Sequence, residues 1–92
     1  MADWTWDPAK EAANRRKHGL GFDLAQRVAD DPLALSRLDE AADEQRWQTV
    51  GVIGGVAIFV VHTLPHQDVP GRLISARKAT PHERRAYEEG DF

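Results

Sequence analysis

A pair of glycines, Gly54-Gly55, lies between two apolar runs and narrows the possible folds more than any other part of the sequence. Two successive glycines accept the positive φ angles of a tight turn, so the pair predicts a two-residue β-hairpin. The run that follows, residues 56–62, is rich in apolar and β-branched side chains, which is typical of a central strand. The run before it, residues 46–54, alternates well enough to be its antiparallel partner. The chain therefore contains a sheet, and helices must cover one face of it to form a core.

Two further strands are predicted on either side of this hairpin, over residues 33–38 and residues 72–77. Because the connections are short, the strands should follow one another as an antiparallel meander of three to four strands. Strict alternation along the last strand places Leu73, Ser75 and Arg77 on one face.

The helices are marked by their first residues. Asp7 is a good N-cap, because its carboxylate accepts hydrogen bonds from free N–H groups in the first turn, and it predicts a helix over residues 8–17. Residues 22–29 carry apolar side chains at helical spacing and predict a second helix. Thr80 and Glu83 form a capping box that predicts a C-terminal helix. The predicted fold class is α+β: two helices, the meander and one helix, with one face of the sheet free to stay open to water.

Length and composition limit what such a chain can be. Its 92 residues are predicted to form one domain, residues 1–92, because typical domains contain roughly 100–150 residues. It contains no cysteine, which excludes disulfides, zinc-thiolate sites and thiol nucleophiles. The longest apolar run, residues 56–61, is far shorter than the ~20 residues of a membrane span, and residues 1–7 show no leader pattern. We therefore expect a cytoplasmic protein with no membrane partner.

The net charge of −3 argues weakly against a nucleic-acid partner, but the charges are unevenly distributed. Residues 30–45 hold one basic side chain against six acidic ones, and residues 72–85 hold five basic side chains against Glu83 alone. Salt confines the field of a charge to about 8–10 Å, so local charge rather than the total attracts a phosphate backbone. A basic binding site for nucleic acid therefore remains possible on this chain, although a solvated surface is the more common explanation of such clustered charges.

Histidine and arginine side chains collect at the ends of the predicted strands. If the strands have similar lengths, Arg46, His62 and Arg72 lie near one end of the sheet and Arg77 lies at the other. RNA carries its own 2′-OH nucleophile, so an enzyme needs only to transfer protons and to stabilise charge at phosphorus. Histidine exchanges protons near neutral pH, and arginine binds phosphate through two parallel hydrogen bonds. A structural histidine and an arginine salt bridge to Glu83 are the more common alternatives, and spacing alone leaves them open.

Other kinds of site find less support in the sequence. The four histidines show no paired ligand spacing, so no metal site is expected. There is no glycine-rich phosphate loop, and no cofactor is expected. The serines lack the context of a nucleophile elbow, so a catalytic serine is not expected either. Trp4, Trp6 and Trp47 could stack RNA bases, but closing the core is the more frequent use of such rings.

Short motifs follow one another along about residues 4–88. Each is weak alone, but their joint order and spacing are specific. They are Trp6-Asp7-Pro8-Ala9-Lys10, Lys17-His18-Gly19, Glu44-Gln45-Arg46-Trp47, Val61-His62-Thr63, Ile74-Ser75-Ala76-Arg77-Lys78-Ala79 and Glu83-Arg84-Arg85-Ala86-Tyr87. Taken together they resemble the BrnT family, toxins of bacterial type II toxin–antitoxin systems. Two positions depart from the family pattern, since Gly21 stands for an expected serine and Asp43 for a usual glycine.

The resemblance implies a compact RelE-like fold and a ribonuclease that arrests translation, here expected to be independent of metal ions. It also implies a partner antitoxin, BrnA, with a ribbon-helix-helix DNA-binding part, and operator DNA bound through that antitoxin. A non-catalytic binding module, or an inactive relic that only helps the antitoxin to repress its operator, remains the alternative.

Carried onto this chain, the resemblance implies two groups of site residues. The phosphate-binding and proton-transfer residues would be Arg46, His62, Arg72 and Arg77. The RNA-binding residues would be Lys17, His18, Lys78 and Arg84. Glu83 could act as a general base, although the capping box explains it without a catalytic role. Tyr87 could stack on a base, although packing on the sheet is the more common use.

Overall fold

The computed structural model describes residues 4–40 and 43–92, so residues 1–3, part of the segment inspected for a leader, lie outside it. Within the described ranges, three α-helices, one 3₁₀ helix and five strands form an α+β structure. No helix there is long and apolar enough to cross a membrane. In chain order the elements are β1 (Trp4–Thr5), α1 (Pro8–His18), α2 (Phe22–Ala25), the 3₁₀ helix (Gln26–Asp30), β2 (Leu35–Asp39), β3 (Arg46–Ile53), β4 (Val56–His62), β5 (Gly71–Lys78) and α3 (Pro81–Glu89).

The predicted hairpin is the centre of the sheet. β3 and β4 pair antiparallel from the turn to the Trp47–His62 pair at the open end. Gly54 and Gly55 adopt φ angles of 56° and 82°, which residues with a Cβ rarely adopt. β2 and β5 add antiparallel strands on the outer sides, so the predicted meander is confirmed for these four strands.

The sheet nevertheless has one more strand than predicted, and it is mixed rather than antiparallel. β1 pairs in parallel with the start of β5, so the strand order over the described residues is β1-β5-β4-β3-β2. The expectation of a three- to four-stranded antiparallel sheet of RelE-like arrangement is wrong in this respect. A strand of two residues leaves no alternation to recognise. Its pairing depends instead on Gly71, where a Cβ would collide with the ring of Trp4.

The second helix is shorter than predicted. α2 ends at Ala25, and the chain continues as the 3₁₀ helix instead of completing an α-helix to residue 29. The tighter winding aligns side chains three residues apart, so Ala25 and Val28 both point into the core, where they are 1% and 2% exposed. Asp31 precedes a proline and adopts an extended conformation, which ends the helical segment.

A β-bulge changes which side chains of β5 face the core. The register between β4 and β5 skips Ile74. Leu73 and Ala76 consequently face the same side of the sheet, and both belong to the buried core cluster. The predicted grouping of Leu73 with Ser75 and Arg77 is therefore wrong, because the alternation does not continue through the extra residue.

One face of the sheet lies under α2 and the 3₁₀ helix. Its apolar side chains pack with Phe22 in the main core, and Trp4 and Trp6 pack against the same cluster, which confirms the core interpretation for these two rings. Trp47, paired with His62, is half-buried. We call this side of the sheet the pocket face, and its central side chains are Ser36, Thr49, Val60 and His62.

We call the opposite side the arginine face, because alternation and register place four arginines on it: Arg37, Arg46, Arg72 and Arg77. α3 and Phe92 cover the central part of this face. Phe59 is 6% exposed there, and the centroids of the Phe59 and Phe92 rings are 6.4 Å apart. The C-terminal helix thus occupies part of the face that the sequence analysis left open to water.

A buried asparagine joins α1 to β5. Asn14 Nδ2 donates to the carbonyl oxygens of Ala76 (2.8 Å) and Leu20 (3.3 Å), and Asn14 Oδ1 accepts from the Ala76 N–H (3.2 Å). β1 pairs only with the first two residues of β5. The Asn14 amide therefore binds the backbone N–H and carbonyl of Ala76, which have no strand partner on that side among the described residues. α1 therefore runs beside β5 in the direction of Lys78.

An aspartate ties α3 to the N-terminal half of the chain. Tyr87 Oη donates to Asp31 Oδ2 (2.7 Å), and the same oxygen accepts from the Val52 N–H (2.8 Å). The Val52 hydrogen bond is the largest cause of the lowered pKa of Asp31, and burial opposes it only in part. Tyr87 is half-buried and hydrogen-bonded, which agrees with packing on the fold rather than with an exposed stacking platform.

Candidate active site

Two arginines converge on one carboxylate at the end of the sheet where β3 and β5 begin and β4 ends. Arg46 Nε lies 3.2 Å from Glu44 Oε1, and the Arg72 guanidinium binds the same oxygen atom. The side chains of Arg46, Arg72 and Glu44 are 35%, 44% and 45% exposed. The hydrogen bond from Arg46 is the largest cause of the lowered pKa of Glu44. The prediction that Arg46, His62 and Arg72 share one end of the sheet is confirmed.

Arg77 lies toward the other end of the sheet, as predicted, but on the same face as Arg72, because the bulge in β5 cancels the alternation that separates the two in the sequence. Its guanidinium makes two parallel hydrogen bonds to Glu83, of 2.8 and 2.9 Å, and lies 4.2 Å above the Phe59 ring. Glu83 Oε1 also accepts from the Thr80 N–H, which completes the capping box of α3. Burial opposes ionisation of Glu83, but the hydrogen bonds from Arg77 and Thr80 outweigh it and hold its pKa below the ordinary value. A carboxylate so engaged is a weak proton acceptor.

One row of cross-strand partners lies between these two groups of side chains on the arginine face. Arg37, Gln48, Val61 and Ser75 are successive cross-strand partners on β2, β3, β4 and β5. Arg37 Nε donates to Gln48 Oε1 (2.7 Å), and the Arg37 guanidinium lies 4.1 Å from the centroid of the Phe92 ring. The arginine face therefore carries cations at both ends, and Gln48 and Ser75 are the polar groups of the row between them.

The four predicted RNA-binding residues are not gathered around Arg46 and Arg72. Lys17 and His18 form the last turn of α1, which runs toward the end of β5 that carries Lys78. These three residues thus lie toward the end of β5 remote from Arg72. Arg84 lies on the exposed side of α3, where it forms an ion pair with Glu88 at 3.4 Å.

His62 projects from the pocket face, opposite to the two neighbouring arginines. Its Nδ1 lies 2.9 Å from the carbonyl oxygen of Thr63, which only accepts, so Nδ1 carries the proton. Its Nε2 then accepts from the Thr49 hydroxyl at 2.6 Å, and Thr49 Oγ1 accepts from the Ser36 hydroxyl at 2.7 Å. His62 is 6% exposed, and burial lowers its pKa below the ordinary value. The ring is therefore a neutral, buried acceptor at pH 7.

The hydrogen-bonded chain of Ser36, Thr49 and His62 lines a cavity of about 270 Å³ between the 3₁₀ helix and the sheet. Trp4 closes one side, with its ring edge-on to the imidazole at 5.3 Å between centroids. Small apolar side chains leave the space open, and they come from Ala25, Ala29 and Ala34. Ser36 is exposed, so the cavity is accessible from the β2 side of the molecule.

Residues 6–83 match the family model described as the ribonuclease toxin BrnT of type II toxin–antitoxin systems. The chain belongs to the BrnT family. The BrnT family consists of ribonuclease toxins, and membership of it implies an antitoxin partner. No curated protein matches the chain.

The BrnT match covers all four predicted catalytic residues but gives no role to any of them. In residues 4–40 and 43–92, no group of three or more histidine, aspartate and glutamate side chains could hold a metal ion. The metal independence of this BrnT chain and the catalytic roles of Arg46, His62, Arg72 and Arg77 stay predictions.

Three polar residues of the candidate site were not predicted from the sequence as site residues, and they are Ser36, Glu44 and Thr49. Thr49 is 6% exposed in a central strand, and a polar residue in a buried strand is a usable signal because it must find a partner. Glu44 gave no comparable signal, since its partner Arg72 lies far along the chain.

We expect the imidazole of His62 to titrate below the ordinary pKa of 6.5, because burial disfavours the imidazolium. NMR of the ring protons as a function of pH measures this directly. A lowered pKa in the folded state means that the unfolded state binds more protons below pH 6.5. The stability that His62 contributes is therefore complete above that pH and declines as the pH falls toward its folded pKa.

The variant His62→Gln provides the control for this titration. It removes the titrating ring, so its free energy of unfolding should fall less than that of the wild type between about pH 7.5 and pH 5.5. A His62 midpoint at or above 6.5 would contradict the buried, neutral ring.

Proposed function

We propose that this BrnT chain is a metal-independent endoribonuclease that arrests translation, acting in the cytoplasm as one domain over residues 1–92. The observation that carries the proposal is the convergence of Arg46 and Arg72 on Glu44. Two guanidinium groups that meet on one carboxylate oxygen are placed to hold one phosphate instead. The ion pairs are exposed and therefore weak, so exchanging the carboxylate for a phosphate costs little.

In the proposed reaction the 2′-oxygen of a ribose bonds to the adjacent phosphorus while the bond from phosphorus to the 5′-oxygen breaks. A base removes the proton of the 2′-OH, and an acid protonates the departing 5′-oxygen. The products are a 2′,3′-cyclic phosphate and a 5′-hydroxyl. Arg46 and Arg72 would stabilise the negative charge that develops on the phosphorane oxygens.

We propose His62 as the proton-transfer residue of this reaction. It lies on the pocket face, but the next residue, Thr63, donates its N–H to the carbonyl oxygen of Arg72 at 2.9 Å. A nucleotide bent around this end of β4 would therefore reach both the imidazole and the arginines. Nε2 must release the Thr49 hydroxyl before it accepts a proton from the 2′-OH, so movement of the Thr49 side chain belongs to the proposal.

The remaining basic residues are proposed to bind the RNA backbone on either side of the cleaved bond. Arg77 would bind a phosphate beyond the Gln48–Ser75 row, in exchange for Glu83. That ion pair is more buried than the Arg46–Glu44 pair, so this exchange is the more costly one. The residues proposed for more distant contacts are Lys17, His18, Lys78 and Arg84.

We further propose that a BrnA-like ribbon-helix-helix antitoxin neutralises the toxin and that operator DNA is bound through this antitoxin. Antitoxin carboxylates that contact Arg46 and Arg72 as Glu44 does would occupy the proposed phosphate site. This mode of inhibition follows from the charge of the arginine face and needs no change in the fold.

One observation favours a second function, a non-catalytic module that binds the antitoxin and assists repression of the operator. Both nitrogens of His62 hold hydrogen bonds within the fold, and the carboxylate of Glu83 is fully engaged by Arg77 and Thr80. In such a module the arginines would bind RNA or carboxylates without turnover.

Incubation of the purified chain with a short RNA in excess EDTA tests the proposal. We expect cleavage into products with 2′,3′-cyclic phosphate ends. The matched control is the same RNA with a single 2′-deoxynucleotide at the cleaved position, which removes the nucleophile and should stay intact. Stable RNA binding with no cleavage in EDTA or in added divalent ions would instead establish the binding module.

A further inference from the structure

The cavity on the pocket face is lined by the Ser36 hydroxyl, and the neighbouring side chains determine whether this hydroxyl can donate or only accept a hydrogen bond. Because Nδ1 of His62 donates to Thr63, the hydroxyls must both donate toward the ring, Ser36 to Thr49 and Thr49 to Nε2. The Ser36 hydrogen is thereby engaged, and Ser36 Oγ has only lone pairs left to offer. This row of hydrogen bonds therefore ends in an acceptor, Ser36 Oγ, which suits an N–H donor of a ligand.

Trp4 provides the complementary group. Its Nε1 is buried and has no hydrogen-bond partner among residues 4–40 and 43–92, although a buried N–H donor is normally bonded. The Trp4 ring lines the same cavity and lies edge-on to His62. If the Trp4 ring turns so that Nε1 reaches the cavity, an acceptor on a ligand there relieves the desolvation of this indole, and that movement belongs to the proposal below.

Two other polar side chains line the cavity, and Asp31 is the more fully engaged of them. Asp31 accepts through Oδ2 from Tyr87 and the Val52 N–H, and through Oδ1 from a backbone N–H. Gln26 Nε2 donates to the carbonyl oxygen of Asp23. Ser36 and Trp4 are two groups of the cavity whose hydrogen-bonding needs a ligand could meet, set among small apolar side chains.

We propose that this cavity binds one RNA base that carries an exocyclic amine, such as adenine. The amine donates to Ser36 Oγ, and a ring nitrogen accepts from Trp4 Nε1. At about 270 Å³ the cavity is smaller than the roughly 300–1,000 Å³ of sites for drug-sized ligands, so it suits a single flat ring. The inference rests on the proposed function because the base belongs to the RNA substrate. Arg46 and Arg72, at the same end of the sheet, would hold the attached phosphate.

Titration of the ¹⁵N-labelled chain with adenosine 5′-monophosphate (AMP), followed through the three indole N–H signals, tests the proposal. We expect the Trp4 signal to shift as its N–H gains an acceptor, while the signals of Trp6 and Trp47 stay in place as internal controls. The substitution Trp4→Phe assigns the signal. AMP contains no bond between two nucleotides, so its binding is measured without cleavage.

A comparison of two ligands and two variants tests the hydrogen bond itself. We expect Ser36→Ala to weaken AMP binding by up to about tenfold, because the amine then loses its hydrogen-bond partner. Purine riboside 5′-monophosphate, which lacks the amine, should bind the wild type about as weakly and lose nothing further in Ser36→Ala. The matched control is Leu38→Ala, on the same strand and face but outside the cavity, which should bind AMP like the wild type.

The proposal is overturned if AMP shifts no indole signal, shifts all three alike, or binds no better than purine riboside 5′-monophosphate. A Trp4 shift that appears only with an antitoxin and never with AMP assigns the cavity to a protein side chain and also overturns it. AMP binding without RNA cleavage supports the base site while refuting the proposed function. Cleavage without AMP binding does the reverse.

Discussion

Replacing Arg72 by alanine should lower the proposed rate of RNA cleavage by about 10²–10³-fold, the usual effect of removing one group that stabilises charge in a transition state. Arg46→Ala should do the same, because both guanidinium groups meet at the oxygen of Glu44 that a phosphate would replace. Arg72→Lys keeps the charge but loses the planar guanidinium group, so its cleavage rate should lie between those of the wild type and Arg72→Ala. The measurement is kcat/KM on a short RNA in EDTA.

Glu44 and Arg16 provide the controls for this prediction. Glu44→Gln removes the carboxylate that competes with phosphate, so cleavage should be retained or faster. Arg16→Ala removes an exposed arginine from α1 and keeps the change in net charge the same, so its rate should match the wild type. Losses smaller than about threefold in Arg46→Ala and Arg72→Ala, with RNA still cleaved, would remove this pair from the active site.

Replacing Asn14 by leucine should lower the free energy of unfolding by about 3 kcal/mol or more, because three buried backbone groups lose their partner. These are the N–H and carbonyl of Ala76 and the carbonyl of Leu20. Each costs about 1–3 kcal/mol when left unpaired. For a chain of 92 residues this corresponds to a fall in Tm of at least about 12 °C. Urea unfolding and thermal denaturation measure the two quantities.

Two further variants separate the hydrogen bonds of Asn14 from side-chain volume. Asn14→Asp preserves the shape and the acceptor for the Ala76 N–H, but it cannot donate to either carbonyl, so it should be at least as unstable as Asn14→Leu. Arg16→Leu introduces the same apolar side chain on the exposed side of α1 and should change stability by less than about 0.5 kcal/mol. An Asn14→Leu variant within about 1 kcal/mol of the wild type would contradict the anchoring role.

The parts of the fold that were predicted correctly depend on neighbours in sequence. Asp7 accepts from the Ala9 N–H at 2.9 Å, and Thr80 and Glu83 form the expected capping box. Gly54-Gly55 makes the expected hairpin turn, and the strands then place Arg46, His62 and Arg72 at one end of the sheet. Cap and turn geometries involve residues two to four apart, so the local sequence specifies them.

The parts that were missed depend on contacts between distant residues. The parallel pairing of β1 with β5 requires the Trp4 ring to lie against Gly71, and the bulge at Ile74 requires Leu73 and Ala76 to enter one core. Neither contact leaves a periodic pattern. The 3₁₀ helix was missed for a related reason, because Ala25 and Val28 are three residues apart and that spacing places them on one face in either winding.

The sequence by itself determined the α+β class, the hairpin, the helix caps and the family, since these depend on local dihedral preferences and on the order of motifs. Only the tertiary structure decided that His62 faces a cavity while the arginines face the other side of the sheet. It also brought Glu44 to Arg72. The physical reason is that side-chain direction on a strand has a period of two, so a single extra residue in the register exchanges the two faces. Packing of the core chooses that register, because burying the wrong face would expose its apolar side chains to water.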